Sequence, residues 1–135
     1  MDFLGASLAL FDADRVLLIK RARAPFLHYW TLPGGGREGD ETAEQCAVRE
    51  FFEETGLRVA AARPVTVVDI GETGRPYGLA VFTSRTFSGE PRFSDEIADH
   101  AWLRPEAWGD RLVTPELADV LAEARRVLAA EVEGR

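Results

Sequence analysis

The chain carries a single cysteine, Cys46, which rules out an internal disulfide. One thiol fits a reducing compartment, and the cytoplasm is the expected location. No apolar run approaches the roughly 20 residues that a membrane-spanning helix needs. The apolar stretch Phe3 to Phe11 follows Asp2 and ends at Asp12. It lacks the positive leading region and the length of a secretory signal, and reads as a strand. Positive charge is also scarce. Lys20 is the only lysine, and 16 basic residues face 23 acidic ones, for a net charge of −7. That balance argues against general affinity for nucleic-acid backbones and against binding anionic membranes. Repeats, low-complexity tracts and linkers are absent. What remains is 135 residues, 46% apolar, enough for one domain spanning 1–135 around a real core.

The order of elements can be read from punctuation. Phe3–Phe11 and Arg15–Arg21 read as strands about a tight turn at Asp12-Ala13-Asp14. A loop from Arg21 to Tyr29 leads to a short extended segment, Trp30-Thr31-Leu32-Pro33. Val59 to Ile70 is valine-rich and interrupted by Pro64, which suggests one strand with an irregular start. Gly71 to Pro76 reads as a turn, with Tyr77–Phe87 as the hairpin partner. Ile97–Leu103 is a further strand, followed by a turn at Arg104 to Trp108. Thr114 is placed to cap a last helix with Pro115 at its first position and Glu116 and Asp119 near its positive end. Leu117, Val120, Leu121, Ala124, Val127 and Leu128 give that helix an apolar stripe. Strands interleaved with two helices predict an α/β/α layered domain.

The densest information lies between Gly34 and Leu57. Gly34-Gly35-Gly36 can adopt positive φ and approach a ligand closely. Thr42 and Gln45 form a capping box, and Gly56 supplies a left-handed stop, so a helix is expected over Ala43–Thr55. Glu50, Glu53 and Glu54 fall at i, i+3 and i+4 and share one helix face. Read alone, that trio is a solvated acidic face, and Arg49 an ion-pair partner for Glu53. Crowded carboxylates nevertheless repel unless positive charge sits among them. Oxygen ligands without His or Cys suit Mg²⁺ or Mn²⁺ rather than Zn²⁺. Cys46, one turn before Glu50, reads as a small core residue.

The full pattern is Gly35-x5-Glu41-x7-Arg49-Glu50-Phe51-x-Glu53-Glu54-x-Gly56-Leu57. It resembles the signature of the Nudix (MutT-like) hydrolases at every specified position. The resemblance would cover nearly the whole chain and implies an α/β/α sandwich with a mixed β-sheet between helices. It also implies metal-dependent hydrolysis of a phosphoanhydride in a small-molecule nucleotide. On that basis Glu50, Glu53 and Glu54 are the expected metal ligands, with the backbone carbonyl of Gly35 (or of its neighbour Gly36) completing the set. Glu53, Glu54 and Glu96 are the expected catalytic residues, with Glu53 or Glu96 as general base. Glu41 and Arg49 are expected to fix the loop and helix.

Other candidates carry a competing plain reading. Arg21 and Arg23 are either substrate-phosphate contacts or exposed loop arginines; Arg37 and Arg75 are weaker candidates. Glu96-x5-Trp102 resembles the downstream acid and strand tryptophan of many Nudix proteins, with Asp95 and Asp99 less favoured and Trp102 read as core. His28 and His100 receive no role. Phe26, Tyr29, Tyr77 and Trp108 could stack on a base or simply pack. The family's substrate tags lie downstream of the signature. Where the ADP-ribose group has proline this chain has Thr73, with Pro76 three residues later. Where the diadenosine-polyphosphate group has tyrosine it has Gly74 and Arg75, with Tyr77 just beyond. The expected substrate is therefore a nucleoside triphosphate or a nucleotide-sugar such as ADP-ribose. Two alternatives are a catalytically weak ligand-sensing or protein-binding domain and an RNA 5′-end pyrophosphohydrolase, the latter disfavoured by the acidic charge. Related small domains often pair, which leaves a homodimer open.

Overall fold

The computed structural model of the protein describes residues 3–69 and 78–133. The expected turn at Gly71–Pro76, the candidates Arg75 and Tyr77, and the tag positions Thr73 and Gly74 lie outside the described residues. β1 (Phe3–Asp12) and β2 (Arg15–Arg21) meet at a two-residue turn with Ala13 at φ 55°. Their nearly unbroken apolar sequence follows from burial on both faces. Ala6, Leu8 and Leu10 of β1 pack with Cys46, Ala47 and Phe51 of α1 (Ala43–Thr55). Ala9 and Phe11 pack instead with Leu117, Val120, Leu121, Ala124 and Leu128 of α2 (Leu117–Glu133). The period-two alternation of one strand thus feeds two cores, and the result is the expected α/β/α sandwich.

The remaining strands are β3 (Trp30–Thr31), β4 (Gly34–Gly36), β5 (Arg58–Ala60), β6 (Arg63–Asp69), β7 (Gly78–Ser84), β8 (Thr86–Ser88) and β9 (Ile97–Leu103). Among the described residues seven strands form one mixed sheet in the order β3-β2-β1-β7-β6. In addition, β4 pairs with β1 and β9 with β2. β1 and β7 run parallel, from Ala6↔Ala80 to Leu10↔Ser84, and the other ladders are antiparallel. No helix among the described residues is long and apolar enough to cross a membrane.

Three expectations needed correction. The single strand expected over Val59–Ile70 is two strands, and the partner expected over Tyr77–Phe87 is also cut. Ala61 takes φ 53°, and the register slips between Pro64 and Thr66. On the partner, the Ser84 hydroxyl donates to the Ala60 carbonyl at 2.5 Å and accepts from Thr86 N–H at 3.0 Å. The short pieces β5 and β8 then pair as a separate two-stranded sheet. Second, Gly34–Gly36 is not a positive-φ turn but an extended strand on β1. Glycine is needed there for close approach: a Cβ on Gly34 would stand 2.7 Å from Ser7 Cα. Third, α2 starts at Leu117, and its first helical bond runs from Val120 N–H to the Glu116 carbonyl. The Thr114 hydroxyl, expected as the cap, donates to Thr31 Oγ1 at 3.1 Å, leaving Pro115 and Glu116 in the preceding turn.

Candidate active site

α1 is the platform, and local sequence fixes both of its ends. The Thr42 side chain accepts from Gln45 N–H at 3.1 Å, and Gln45 Oε1 accepts from Thr42 N–H at 2.9 Å. Gly56 closes the helix at φ 79°. A Cβ there would also lie 2.8 Å from both Arg92 N and Glu90 O. That tight crossing matters, because the segment beyond it caps the helix carbonyls. Arg92 N–H donates to Thr55 O at 2.6 Å and Ser94 N–H to Glu54 O at 2.9 Å. The chain then reaches Glu96, in the turn just before β9. A C-terminal helix cap therefore delivers a residue 42 positions downstream of Glu54 to the acidic face of α1.

On that face Arg49 is the hub. Its guanidinium grips Glu41 with two bonds, Nε to Oε2 at 3.0 Å and Nη2 to Oε1 at 2.6 Å. Nη1 donates to Glu50 Oε1 at 2.9 Å and to both Glu53 oxygens at 3.2 Å. Nη2 also donates to the Gly36 carbonyl at 2.9 Å. The positive charge that the glutamate cluster requires comes from within the helix. The paired guanidinium, with the Glu38 N–H, holds the Glu41 carboxyl down at about 2. Arg49 is in turn raised, chiefly by Glu41.

Glu54 is the exception. It is only 5% exposed, and its Oε1 accepts from Gly34 N–H at 2.9 Å. Burial pushes its carboxyl up to about 7, and the neighbouring Glu50 and Glu96 charges push the same way. The Gly34 hydrogen bond and Arg21 only partly oppose this. Glu50 is raised too, by burial against the opposing pull of Arg49.

The ladder decides which glycine carbonyls face this cluster. Leu8 N–H bonds to Pro33 O at 3.1 Å and Arg37 N–H to Leu4 O at 2.9 Å. In an antiparallel pair such positions alternate, so Ala6↔Gly35 is also a hydrogen-bonded pair directed at β1. The Gly35 carbonyl further accepts from Cys46 Sγ at 3.7 Å. It is therefore turned away from the carboxylates, contrary to the expectation that it would ligate a metal. Gly34 and Gly36 point outward, and Gly36 O is taken by Arg49. Gly35 contributes differently: a Cβ on it would collide with the Glu50 carboxylate, so its bareness makes room for that group.

Arg21, Arg23, Glu38, Glu50, Glu53, Glu54, Glu96 and the three glycines line one polar cavity of about 460 Å³. Arg23 pairs with Glu96 at 3.3 Å and Asp95 at 3.7 Å, while Arg21 Nε donates to Pro25 O at 2.7 Å. Among the described residues no three His, Cys, Asp or Glu side chains are already gathered into a metal cage. The donors nonetheless fit a hard divalent ion. They are all oxygens, and Glu54 is buried beside two like charges with no ion-pair partner of its own among the described residues. Asp99 accepts from His100 N–H, and the His100 ring stacks on Phe93 at 3.7 Å; neither residue lines this cavity. Trp102 stacks on Phe87 at 5.8 Å and Trp108 packs against the α2-side core. Arg37 lies over the Phe3 ring at 4.6 Å.

A second cavity, of about 350 Å³, opens on the α2 side and shares Arg21 and Gly34–Gly36 with the first. Its walls include Leu32, Val68, Leu79, Leu117 and Val120, with Phe26 contributing from the loop after β2. Sequence reasoning singled out Phe26 but missed this cavity, along with Glu38 and the outward face of Gly34. The alternation of β4 along β1 was the signal for Gly34, but it is visible only once the strands pair.

Comparison with known proteins identifies the family and the fold. The chain matches the NUDIX domain family over residues 1–126. It is 35% identical over 107 residues to a MutT-like protein of Streptomyces ambofaciens, covering 79% of this chain and 66% of that one. It is 36% identical over 106 residues to the human 8-oxo-dGDP phosphatase NUDT18, covering 78% of this chain and 31% of that one. The chain thus spans from about a third to just under two thirds of these curated relatives. A MutT NUDIX hydrolase from Burkholderia pseudomallei superposes with a TM-score of 0.77 at 31% identity, covering 91% of this chain and 98% of that one. With Gly35, Glu50, Glu53 and Glu54 of the signature lining one cavity and the family match running through α1 and into α2, the chain belongs to the Nudix family.

Proposed function

We propose that the protein is a metal-dependent pyrophosphohydrolase cleaving a nucleoside diphosphate linked to another group, by attack of water on phosphorus. The observation that carries this reading is the pair of cavities joined at Gly34–Gly36 and Arg21. One is acidic and polar, suited to a cation and phosphates; the other is apolar, suited to a base. Glu50 and Glu54 would hold Mg²⁺ or Mn²⁺, with the outward Gly34 carbonyl as backbone ligand and Glu53 as a further ligand or base. A bound divalent ion neutralises phosphate oxygens and lowers the pKa of a water. Arg21 and Arg23 meet the substrate phosphates. Arg23 must leave Glu96 and Asp95 to do so, which frees Glu96 as the alternative acceptor of the water proton. Water forms the new P–O bond, the bridging P–O bond breaks, and the departing phosphate takes the electron pair. A nucleoside triphosphate or an ADP-ribose-type compound is the substrate class.

The test is hydrolysis of a panel of nucleoside triphosphates, oxidised nucleotides, ADP-ribose and dinucleoside polyphosphates with Mg²⁺ or Mn²⁺. A Glu53→Gln/Glu54→Gln variant runs beside it. Metal-dependent turnover that vanishes in the variant supports the reading. Measurable metal binding without turnover on any compound would favour a ligand-sensing domain.

A further inference from the structure

We infer that the Ser7 hydroxyl binds a pentose hydroxyl of the nucleotide where the two cavities meet. This deepens the reading of the paired cavities as a nucleotide site and rests on it. Ser7 is only 5% exposed, yet its Oγ has no hydrogen-bond partner among the described residues. The other two hydroxyls lining the α2-side cavity, those of Thr31 and Thr114, are bonded to one another at 3.1 Å. A buried hydroxyl left without a partner is costly and uncommon in a folded chain, and it leaves a donor and acceptors for something that enters. Strand alternation fixes where this one points. Along β1, Ala6, Leu8 and Leu10 face α1, while Ala9 and Phe11 face α2. Ser7 has the parity of the second set, and it lines the α2-side cavity but not the acidic one. Its nearest neighbours on that face are Gly5 and Ala9 along the strand and Gly34 and Val81 across it, and none of the four carries a polar side-chain atom.

The place of Ser7 narrows the occupant. Its cross-strand partner is Gly34, which borders both cavities and whose N–H donates to Glu54 at 2.9 Å. Antiparallel partners lie about 5 Å apart at Cα, so the hydroxyl stands at the border itself. A Cβ on Gly34 would lie 2.7 Å from Ser7 Cβ, so the bare glycine keeps the space beside the serine open. In a nucleotide that crosses this border, with its phosphates among Arg21, Arg23 and the glutamates and its base on the apolar side, the pentose is the part that spans it. A serine hydroxyl donates one hydrogen bond and accepts others. A sugar hydroxyl does the same, so the two satisfy each other in either direction. The phosphate oxygens accept only, and the acidic side already supplies their donors.

A thermodynamic cycle provides the test. Calorimetry on the whole chain measures binding of AMP and GMP, and of their 2′-deoxy and 3′-deoxy forms, to the wild type, Ser7→Ala and Ser7→Cys. Turnover is read as kcat/KM for the matching triphosphates with Mn²⁺. Removing one of the two sugar hydroxyls should weaken wild-type binding by about 2- to 10-fold, the worth of one neutral hydrogen bond. Ser7→Ala should weaken the parent ribonucleotide by a similar factor and the form lacking that hydroxyl hardly at all. Ser7→Cys, close in size to serine, should follow Ser7→Ala. The nucleotide-free Tm of Ser7→Ala should stay level or rise, because no bond within the protein is lost. Equal losses on all forms, no loss on any, or no binding of either series overturns the inference. So does a Tm lowered by several degrees, which would mean that the hydroxyl already had a partner inside the protein. Metal-dependent turnover with an additive cycle would sink this inference and leave the hydrolase reading standing. A coupled cycle without turnover of any substrate would do the reverse.

Discussion

Glu54→Gln should stabilise the metal-free protein while removing its turnover. The Glu54 carboxyl is raised from 4.5 to about 7, burial being the first cause and the Glu50 and Glu96 charges adding to it. Below pH 4.5 the group is protonated in both the folded and unfolded chain and costs nothing. As pH rises toward and through 7 the unfolded chain ionises freely, while the folded one must ionise a buried group, so stability is lost. Moving a carboxyl over that range corresponds to about 3 kcal/mol at pH 8. Unfolding entropies near 2.1 cal/mol/K per residue convert this to a Tm difference of about 10 °C for a domain of this length. Glutamine keeps the amide oxygen that accepts from Gly34 N–H and carries no charge to bury. In EDTA at pH 8 the variant should therefore melt up to about 10 °C above the wild type, and at pH 4 the two should coincide. Mg²⁺ should raise the Tm of the wild type at pH 8 and leave the variant nearly unmoved. Scanning calorimetry across pH, with and without metal, reads all three. A variant no more stable than the wild type in EDTA at pH 8 would refute the claim that Glu54 is an ionised group held at a cost until a cation arrives.

Four further outcomes follow from contacts already described. Arg49→Lys cannot reproduce the two-bonded grip on Glu41 while also reaching Glu50, Glu53 and Gly36, so its Tm should fall by several degrees. In the wild type the Glu41 contribution is present above pH 4.5 and lost as pH falls toward 2, so acid unfolding monitored by circular dichroism should start at higher pH in Glu41→Gln. Gly35→Ala should leave the fold largely intact but displace the Glu50 carboxylate, lowering kcat and weakening Mn²⁺ binding in a titration. Gly56→Ala pairs a left-handed φ with contacts of 2.8 Å to Glu90 and Arg92, and should cost roughly 1–3 kcal/mol in urea unfolding.

The parts legible in the sequence are those that local chemistry decides. α1 runs from Ala43 to Thr55 as its capping box and Gly56 required, and β2 and β9 have the expected bounds. Tertiary pairing decides the rest. Nothing near Ala61 or Arg85 announces that β5 will leave β6 to pair with β8. Gly34-Gly35-Gly36 has turn-like composition, yet β1 recruits it as a strand, and that recruitment turns the Gly35 carbonyl inward. Thr114 looks like a cap, but Thr31 claims its hydroxyl. At the site, spacing alone brought the glutamates and Arg49 onto one face. It could not reveal that the guanidinium would join Glu41, Glu50, Glu53 and Gly36 at once, nor that Glu54 would be the buried member.

The strand Gly34–Gly36 borders both cavities, and it has no side chains. Arg21 supplies the one side chain that the two cavities share among the described residues, so exchanges on the α2 side that leave Arg21 in place need not disturb the acidic side. The shape of the apolar cavity and the charge cluster of the acidic one become separable inheritances. Rebuilding Phe26, Val68 and Leu79 would reshape the apolar cavity while the glutamate cluster stays as it is.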